Sequence, residues 1–338
     1  MRQSGLLYER RILGATEPIS RPALAHPFRT HPRYTYGAAP PNHMFHLKHR
    51  LALRSSIGML ALFLAACGGS SSDLEGVRIR VGSTDIVLGP NRLMLAVLDA
   101  EDRPLGEADV TLKFFHLDGD DPETVKAETR ARFLGRGIPE SQALYSARVD
   151  LDGTGAWGVE AIIRRGDEGP LTHRFGFRAK TTADVPNIGQ PAPSSRNQTL
   201  SEAPIEQLTS ERPPGDAEFY RLTIADALEQ ARPFMVVFST PAFCQTRTCG
   251  PQLGAAQSLK ERHGDRLNFI HIEVFERPDL LLQGEGQPQT RPTVNEWDLQ
   301  TEPWVFLIDG RGAIFDRFEG FAPEAEIEES IARLLATG

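Results

Sequence analysis

A strand-length apolar run, Phe234-Met-Val-Val-Phe238, leads through Ser239-Thr-Pro-Ala-Phe into Cys244-Gln-Thr-Arg-Thr-Cys249-Gly-Pro251, and a helical pattern follows. The apolar run has the length of a buried strand, and the Pro- and Gly-flanked stretch after it reads as a turn that presents two cysteines. The rest of the chain is organised to place and support this pair.

At 338 residues the chain is too long for one ordinary domain, so two domains plus tails are expected. Residues 1–66 carry nine Lys/Arg against two Asp/Glu, which leaves the remainder fifteen charges negative. A body that acidic does not suit nucleic acid, which requires a basic footprint. Residues 1–43 are rich in Pro, His and Arg without periodicity and read as a disordered or untranslated leader. Met44 opens a basic start (Lys48, Arg50, Arg54), an apolar stretch from Ile57 to Ala66 follows, and the segment ends in Leu64-Ala-Ala-Cys67-Gly68. This is the layout of a secretory signal over 44–66, too short to remain as a membrane-spanning helix. Its ending resembles the bacterial lipobox, which implies lipidation at Cys67, a tether over 67–76 and a protein anchored on the extracytoplasmic face, periplasmic or at the cell surface.

Between Val77 and Thr181 the pattern has period two. Val77–Val81, Leu93–Leu98, Val110–Phe115, Ala143–Val149, Trp157–Ile163 and His173–Phe177 read as strands, with turn signals such as Asp152-Gly153 between them. Short strands at this spacing predict an all-β sandwich of immunoglobulin type over 77–181. With no cysteine in it, its two sheets are expected to meet by packing alone. His116 and His173 have no partners at metal-ligand spacing and read as ordinary strand residues. Residues 182–216, rich in Pro, Ser, Gln and Glu, read as an interdomain linker.

Within 217–338 a helix capped by Thr223, the strand ending at Phe238, a helix over 251–263 and a strand over 267–275 succeed one another. A short helical piece near 294–299, two strands (304–308 and 313–318) around Asp309-Gly-Arg-Gly312, and an amphipathic helix over 324–335 complete the order. Helices alternating with strands predict a mixed sheet covered on both faces. This order resembles the thioredoxin-like family, on Val236-Val-Phe238, on Cys244 and Cys249, and on Thr301-Glu-Pro-Trp-Val-Phe-Leu-Ile-Asp-Gly310. The expected fold class is therefore an α/β thioredoxin-like domain preceded by an immunoglobulin-like sandwich. The resemblance implies a cis peptide bond at Pro303, packing of Pro303 against the cysteine turn, and pairing of the Glu302 backbone with an incoming substrate strand.

The sequence also departs from the family, whose cysteines are usually spaced Cys-x-x-Cys. Here the spacing is Cys-x-x-x-x-Cys, and Cys249-Gly-Pro-Gln252 looks like the usual motif with its last thiol replaced. Two role assignments follow, with Cys244 as nucleophile and Cys249 resolving it, or the reverse; the interval from the strand favours the first. A thiolate at a helix N-terminus meets unpaired N–H groups and the positive end of the dipole, which lowers its pKa. A bridge requires Cα atoms within about 7 Å, so Gln245–Thr248 is expected to be a non-helical turn. His271 falls where thioredoxins place a residue beneath the active site, and it reads either as acceptor of the resolving thiol's proton or as a histidine bonded within a covered sheet face. Glu302 and Trp304 are candidates for contact with substrate.

The resulting expectation is a membrane-anchored thiol–disulfide oxidoreductase acting on protein thiols and disulfides or on a membrane redox partner, without cofactor or metal. Three alternatives stand beside it. One is a peroxiredoxin-like peroxidase, disfavoured because Thr240 lies four residues before Cys244 and Pro303 occupies the arginine's place. Another is a Cu(I) carrier using both thiolates and a histidine, disfavoured because no histidine follows His271. The third is a non-catalytic binding lipoprotein.

Overall fold

A computed structural model describes residues 76–136, 143–167 and 169–337. The leader, the signal segment and the lipidation site Cys67 lie outside these residues. Among the described residues no helix is long and apolar enough to cross a membrane.

The first sheet contains β1 (Val77–Val81), β2 (Gly89–Asp99), β3 (Asp109–His116), β4 (Val125–Phe133), β5 (Leu144–Leu151), β6 (Gly155–Arg164) and β7 (Leu171–Ala179). Their order is β1-β2-β5-β4-β3-β6-β7, with every pairing antiparallel. Period-two burial turns Leu93, Leu95, Val97, Leu112, Phe114, Trp157 and Val159 into one core. Each such side chain contributes about 1.5–3 kcal/mol when fully buried.

The expected junction by packing alone is corrected by β4. Its Val125–Ala131 stretch pairs with β3, while Arg132 and Phe133 pair with Ser146 and Tyr145 of β5. One hydrogen-bonded strand therefore carries the sheet around the core. Leu88 N–H donates to the Lys180 carbonyl at 2.9 Å and Lys180 N–H to that of Ile86 at 2.9 Å, which draws the two ends of the sheet together. The sequence pattern conceals β4 because Lys126, Glu128, Arg130 and Arg132 point outward and the inward positions are mostly Ala127, Thr129 and Ala131.

The second sheet has the order β11-β10-β8-β9, from β8 (Phe234–Ser239), β9 (Asn268–Glu273), β10 (Trp304–Ile308) and β11 (Ile314–Glu319). β8 and β9 are parallel, and the other pairings are antiparallel. The continuous apolar run of β8 has a simple cause: both faces of the strand are covered. Met235 and Val237 pack with Ala256 and Leu259 of α2 (Cys249–His263) and Ile327, Ile331 and Leu334 of α5 (Glu324–Thr337), whereas Phe234, Val236 and Phe238 pack with Ile270, Trp297 and Phe306.

The expected fold class does not hold for this molecule, which is mostly β. Eleven strands in two sheets stand against five α-helices among the described residues. Only α2 and α5 exceed six residues; α1 (Ile224–Glu229), α3 (Pro278–Leu282) and α4 (Pro292–Glu296) are one-turn pieces. Pro278, Gly284, Gly286, Pro288 and Pro292 interrupt the stretch between β9 and β10, so no long helix can propagate there.

Residues 182–216 are laid down on the second sheet. Gly189 N–H donates to the Ile314 carbonyl and Ile314 N–H to that of Gln190, both at 2.8 Å, and Val185, Ala192, Ala203 and Leu208 are buried. The two sheets also meet through charged groups. Arg92 of β2 is bidentate to Glu326 of α5 at 2.8 and 2.9 Å, both side chains being over nine-tenths buried. Arg317 of β11 reaches Asp85 at 2.6 Å, and Arg148 of β5 reaches Asp316 at 2.9 Å. Burial pushes the Glu326 carboxyl up, but Arg92, with Arg148 and Arg132 behind it, holds it below its ordinary value. Burial acts the same way on Asp85, where Lys180, the Asp184 N–H and Arg317 prevail.

Candidate functional site

Cys244 and Cys249 form a disulfide across Cα atoms 6.0 Å apart. Residues 245–248 are non-helical between them, and Arg247 adopts a left-handed backbone at φ 59°. Amides of Phe243 and Cys244 both donate to the Thr240 carbonyl, at 3.2 and 3.0 Å, so the chain reverses as soon as β8 ends. Cys249 is the first residue of α2 and is completely buried, while Cys244 is partly exposed. The two sulfurs therefore differ in access: only Cys244 is open to a second molecule. Cys249 sits against the unpaired N–H groups and positive dipole end of a fifteen-residue helix. The Cys244 sulfur lies 3.2 Å from the Thr246 hydroxyl, which is 2.8 Å from that of Thr248.

Sheet register brings the other expected residues to the same end of the molecule. Trp304 pairs with Phe238, so Pro303 lies level with Ser239, the last residue of β8 before the cysteine turn. On the other flank Ser239 pairs with Glu273 of β9. The Glu302–Pro303 bond is cis, and the Pro303 carbonyl accepts from Gly320 N–H at 2.8 Å. Glu302 is half-buried, and burial raises its carboxyl above the ordinary value. Together with Gln300 and Thr301 it lines a cleft of about 220 Å³ whose other walls include Phe238, Val274, Phe275 and Leu299. Phe243, the neighbour of Cys244, packs edge-on against Phe275 at 6.0 Å, so the cleft adjoins the cysteine turn.

Trp304 and His271 lie inside the protein. Trp304 is buried, stacks on Phe306 at 5.4 Å and donates to the Thr301 hydroxyl at 3.0 Å. Both His271 ring nitrogens are engaged, Nδ1 with the Tyr220 hydroxyl at 2.8 Å and Nε2 with Ser239 Oγ at 2.9 Å. Burial lowers its pKa to about 3, so the ring is neutral. His116 stacks on Trp157 at 4.8 Å and His173 on Phe175 at 6.5 Å, both in the first sheet.

The sequence reading missed Glu273 and the residues around it. Burial lifts the Glu273 carboxyl above the usual range. Its Oε2 accepts from Ser210 N–H at 2.7 Å, and the Ser210 hydroxyl accepts from Ala242 N–H at 3.1 Å, inside the cysteine turn. Glu273 Oε1, Thr240 Oγ1 and Gln252 Nε2 are buried without hydrogen-bond partners among the described residues. A carboxylate at the end of a buried strand, between Ile272 and Val274-Phe275, was the available signal, because an isolated charge there has to be neutralised or bonded.

No protein-family model and no curated protein matches the chain. Among solved structures it is similar to thioredoxin-family proteins, including thiol:disulfide interchange proteins. Chloroplastic thioredoxin z is 22% identical, with 32% of this chain and 84% of that one covered and a TM-score of 0.25. A putative thiol:disulfide interchange protein DsbE from Chlorobium tepidum is 14% identical, over 44% of this chain and 99% of that one, at a TM-score of 0.32. A thiol:disulfide interchange protein of the thioredoxin family from Chlorobium tepidum TLS is 18% identical, over 43% and 95%, at a TM-score of 0.31.

Proposed function

We propose that the protein is a thiol–disulfide oxidoreductase, lipid-anchored through Cys67 on the extracytoplasmic face, that works through Cys244 and Cys249 on protein thiols and disulfides. The observation that carries this reading is the asymmetric access of one bridge: Cys244 partly exposed, Cys249 buried at the N-terminus of α2. In the reducing direction the Cys244 thiolate attacks a substrate disulfide, the S–S bond breaks, and one substrate sulfur leaves as a thiolate. Cys249, deprotonated, then attacks the Cys244 sulfur of the mixed disulfide. This expels the second substrate thiolate and leaves Cys244–Cys249 oxidised by two electrons. The oxidising direction is the same sequence reversed. His271 is neutral and bonded at both nitrogens, which supports the reading of it as a histidine bonded within the covered sheet face.

The test is a redox titration of the full chain in glutathione and dithiothreitol buffers, with Cys244 and Cys249 followed by thiol labelling and mass spectrometry. A reversible intramolecular disulfide is expected, and its potential separates a reductant from an oxidant. Thiols that remain free in oxidising buffer would sink the proposal.

A further inference from the structure

The first sheet grips a short segment of the second, and that segment holds the wall of the cleft beside the cysteines. Thr84, in the loop before β2, donates from its hydroxyl to Glu319 Oε1 at 2.6 Å and from its amide to Oε2 at 2.8 Å. Arg92 donates to the carbonyls of Glu319 and Phe321, both at 2.8 Å. Between them Gly320 has φ 68°, and a Cβ there would collide with the Met94 side chain of β2. The left-handed conformation and the close approach of Met94 both favour glycine at this position. From the gripped segment two bonds pass on to the cleft. Glu319 Oε1 accepts from the Thr301 hydroxyl at 2.9 Å, and Gly320 N–H donates to the Pro303 carbonyl at 2.8 Å. Thr301 in turn accepts from Trp304 Nε1, so both sides of Glu302–Pro303 are fixed.

We propose that the first sheet is a clamp for the substrate-binding segment of the redox site, with Glu319 and Thr84 as positioning residues that preset Thr301–Pro303 for a polypeptide substrate. This deepens the oxidoreductase reading and rests on it. Glu319 acts through Thr301 and, by way of Gly320, through Pro303. A small disulfide needs only the exposed Cys244, whereas a polypeptide disulfide must also fit the cleft wall. Loosening the clamp therefore penalises the second substrate selectively.

The experiment uses the full chain carrying Thr84→Val, with Thr84→Ser as the conservative control and Glu319→Ala as the stronger perturbation. Thr84 is exposed, so its replacement leaves the core intact. Hydrogen exchange at the Gly320 amide reads the clamp directly. Loss of one hydrogen bond to a charged acceptor should accelerate it roughly tenfold in Thr84→Val and more in Glu319→Ala, with Thr84→Ser near the unmodified rate. Turnover of insulin as the polypeptide disulfide should show KM raised about threefold or more with kcat nearly unchanged, while the rate with cystamine stays the same. Unchanged exchange at Gly320 overturns the clamp whatever the redox result. Faster exchange with insulin and cystamine affected equally overturns the positioning role. If the unmodified chain reacts with neither disulfide, the redox reading and the positioning role fall together, and exchange at Gly320 still decides whether the clamp exists.

Discussion

Cys249 follows Cys244 by five residues, and the disulfide divides their duties by burial. Cys249→Ser should therefore trap a mixed disulfide between Cys244 and a polypeptide substrate, visible as a dithiothreitol-sensitive adduct on a non-reducing gel. Cys244→Ser should give none, and an equal adduct from both variants would reverse the assigned roles. His271 makes a second residue-scale prediction, with a sign that can be worked out. Its folded pKa of about 3 lies below the ordinary 6.5, so between those values the unfolded chain binds a proton that the folded one refuses. Stability attributable to His271 is complete above about pH 6.5 and falls with acidification by up to about 1.4 kcal/mol per pH unit until about pH 3. Glu273 has a raised carboxyl pKa and acts in the opposite sense, losing stability as pH rises from its ordinary value toward its raised folded one. The comparison with His271→Gln isolates the histidine: urea midpoints of the variant should be lower near neutral pH by the equivalent of about 1–3 kcal/mol, and the gap should close and then reverse as pH falls toward about 3. A constant gap would refute the buried neutral ring.

Elements were legible where a single period ruled a segment. β1, β3, β6, β8 and α5 follow from alternation, from a continuous apolar run or from helical spacing. The start of α1 follows from its Thr223–Asp226 capping box, in which Thr223 Oγ1 accepts from Asp226 N–H at 2.9 Å and Thr223 N–H reaches the Asp226 carboxylate at 3.2 Å. Thr223→Ala should cost about 1 kcal/mol, read as a shift in denaturant midpoint with unchanged slope. β4 and α3 were not legible. β4 buries small side chains under a charged outer row, and its position in the sheet comes from hydrogen bonds to β3 and β5 that no local pattern encodes. α3 is five residues long and starts at Pro278 after Arg277 in a left-handed conformation, too short to show a period.

At the scale of the molecule, the Arg92–Glu326 pair ties the first sheet to α5, which packs on the second, through a nearly dry contact. Removing one partner leaves the other charge buried, so Arg92→Ala should destabilise the protein by about 3–5 kcal/mol, whereas Arg92→Met with Glu326→Leu should recover only the part due to the unpaired charge, because the Glu319 and Phe321 carbonyls still lose their donor. Calorimetry of the single and double variants checks this; equal melting temperatures would show the pair to be dispensable. Local pattern was enough for the strand-and-turn character of residues 77–181, the burial of β8 on both faces, and the position of two cysteines between that strand and α2, because these depend on local period and on turn chemistry. It did not determine the mostly β character of the whole. Nor did it reveal the packing of residues 182–216 on the second sheet, the buried Glu273, or the grip of Thr84 and Arg92 on Glu319–Phe321. Those contacts join residues more than sixty, and in the clamp more than two hundred, positions apart. Their strength comes from excluding water around paired polar groups, which exists only once both surfaces have formed.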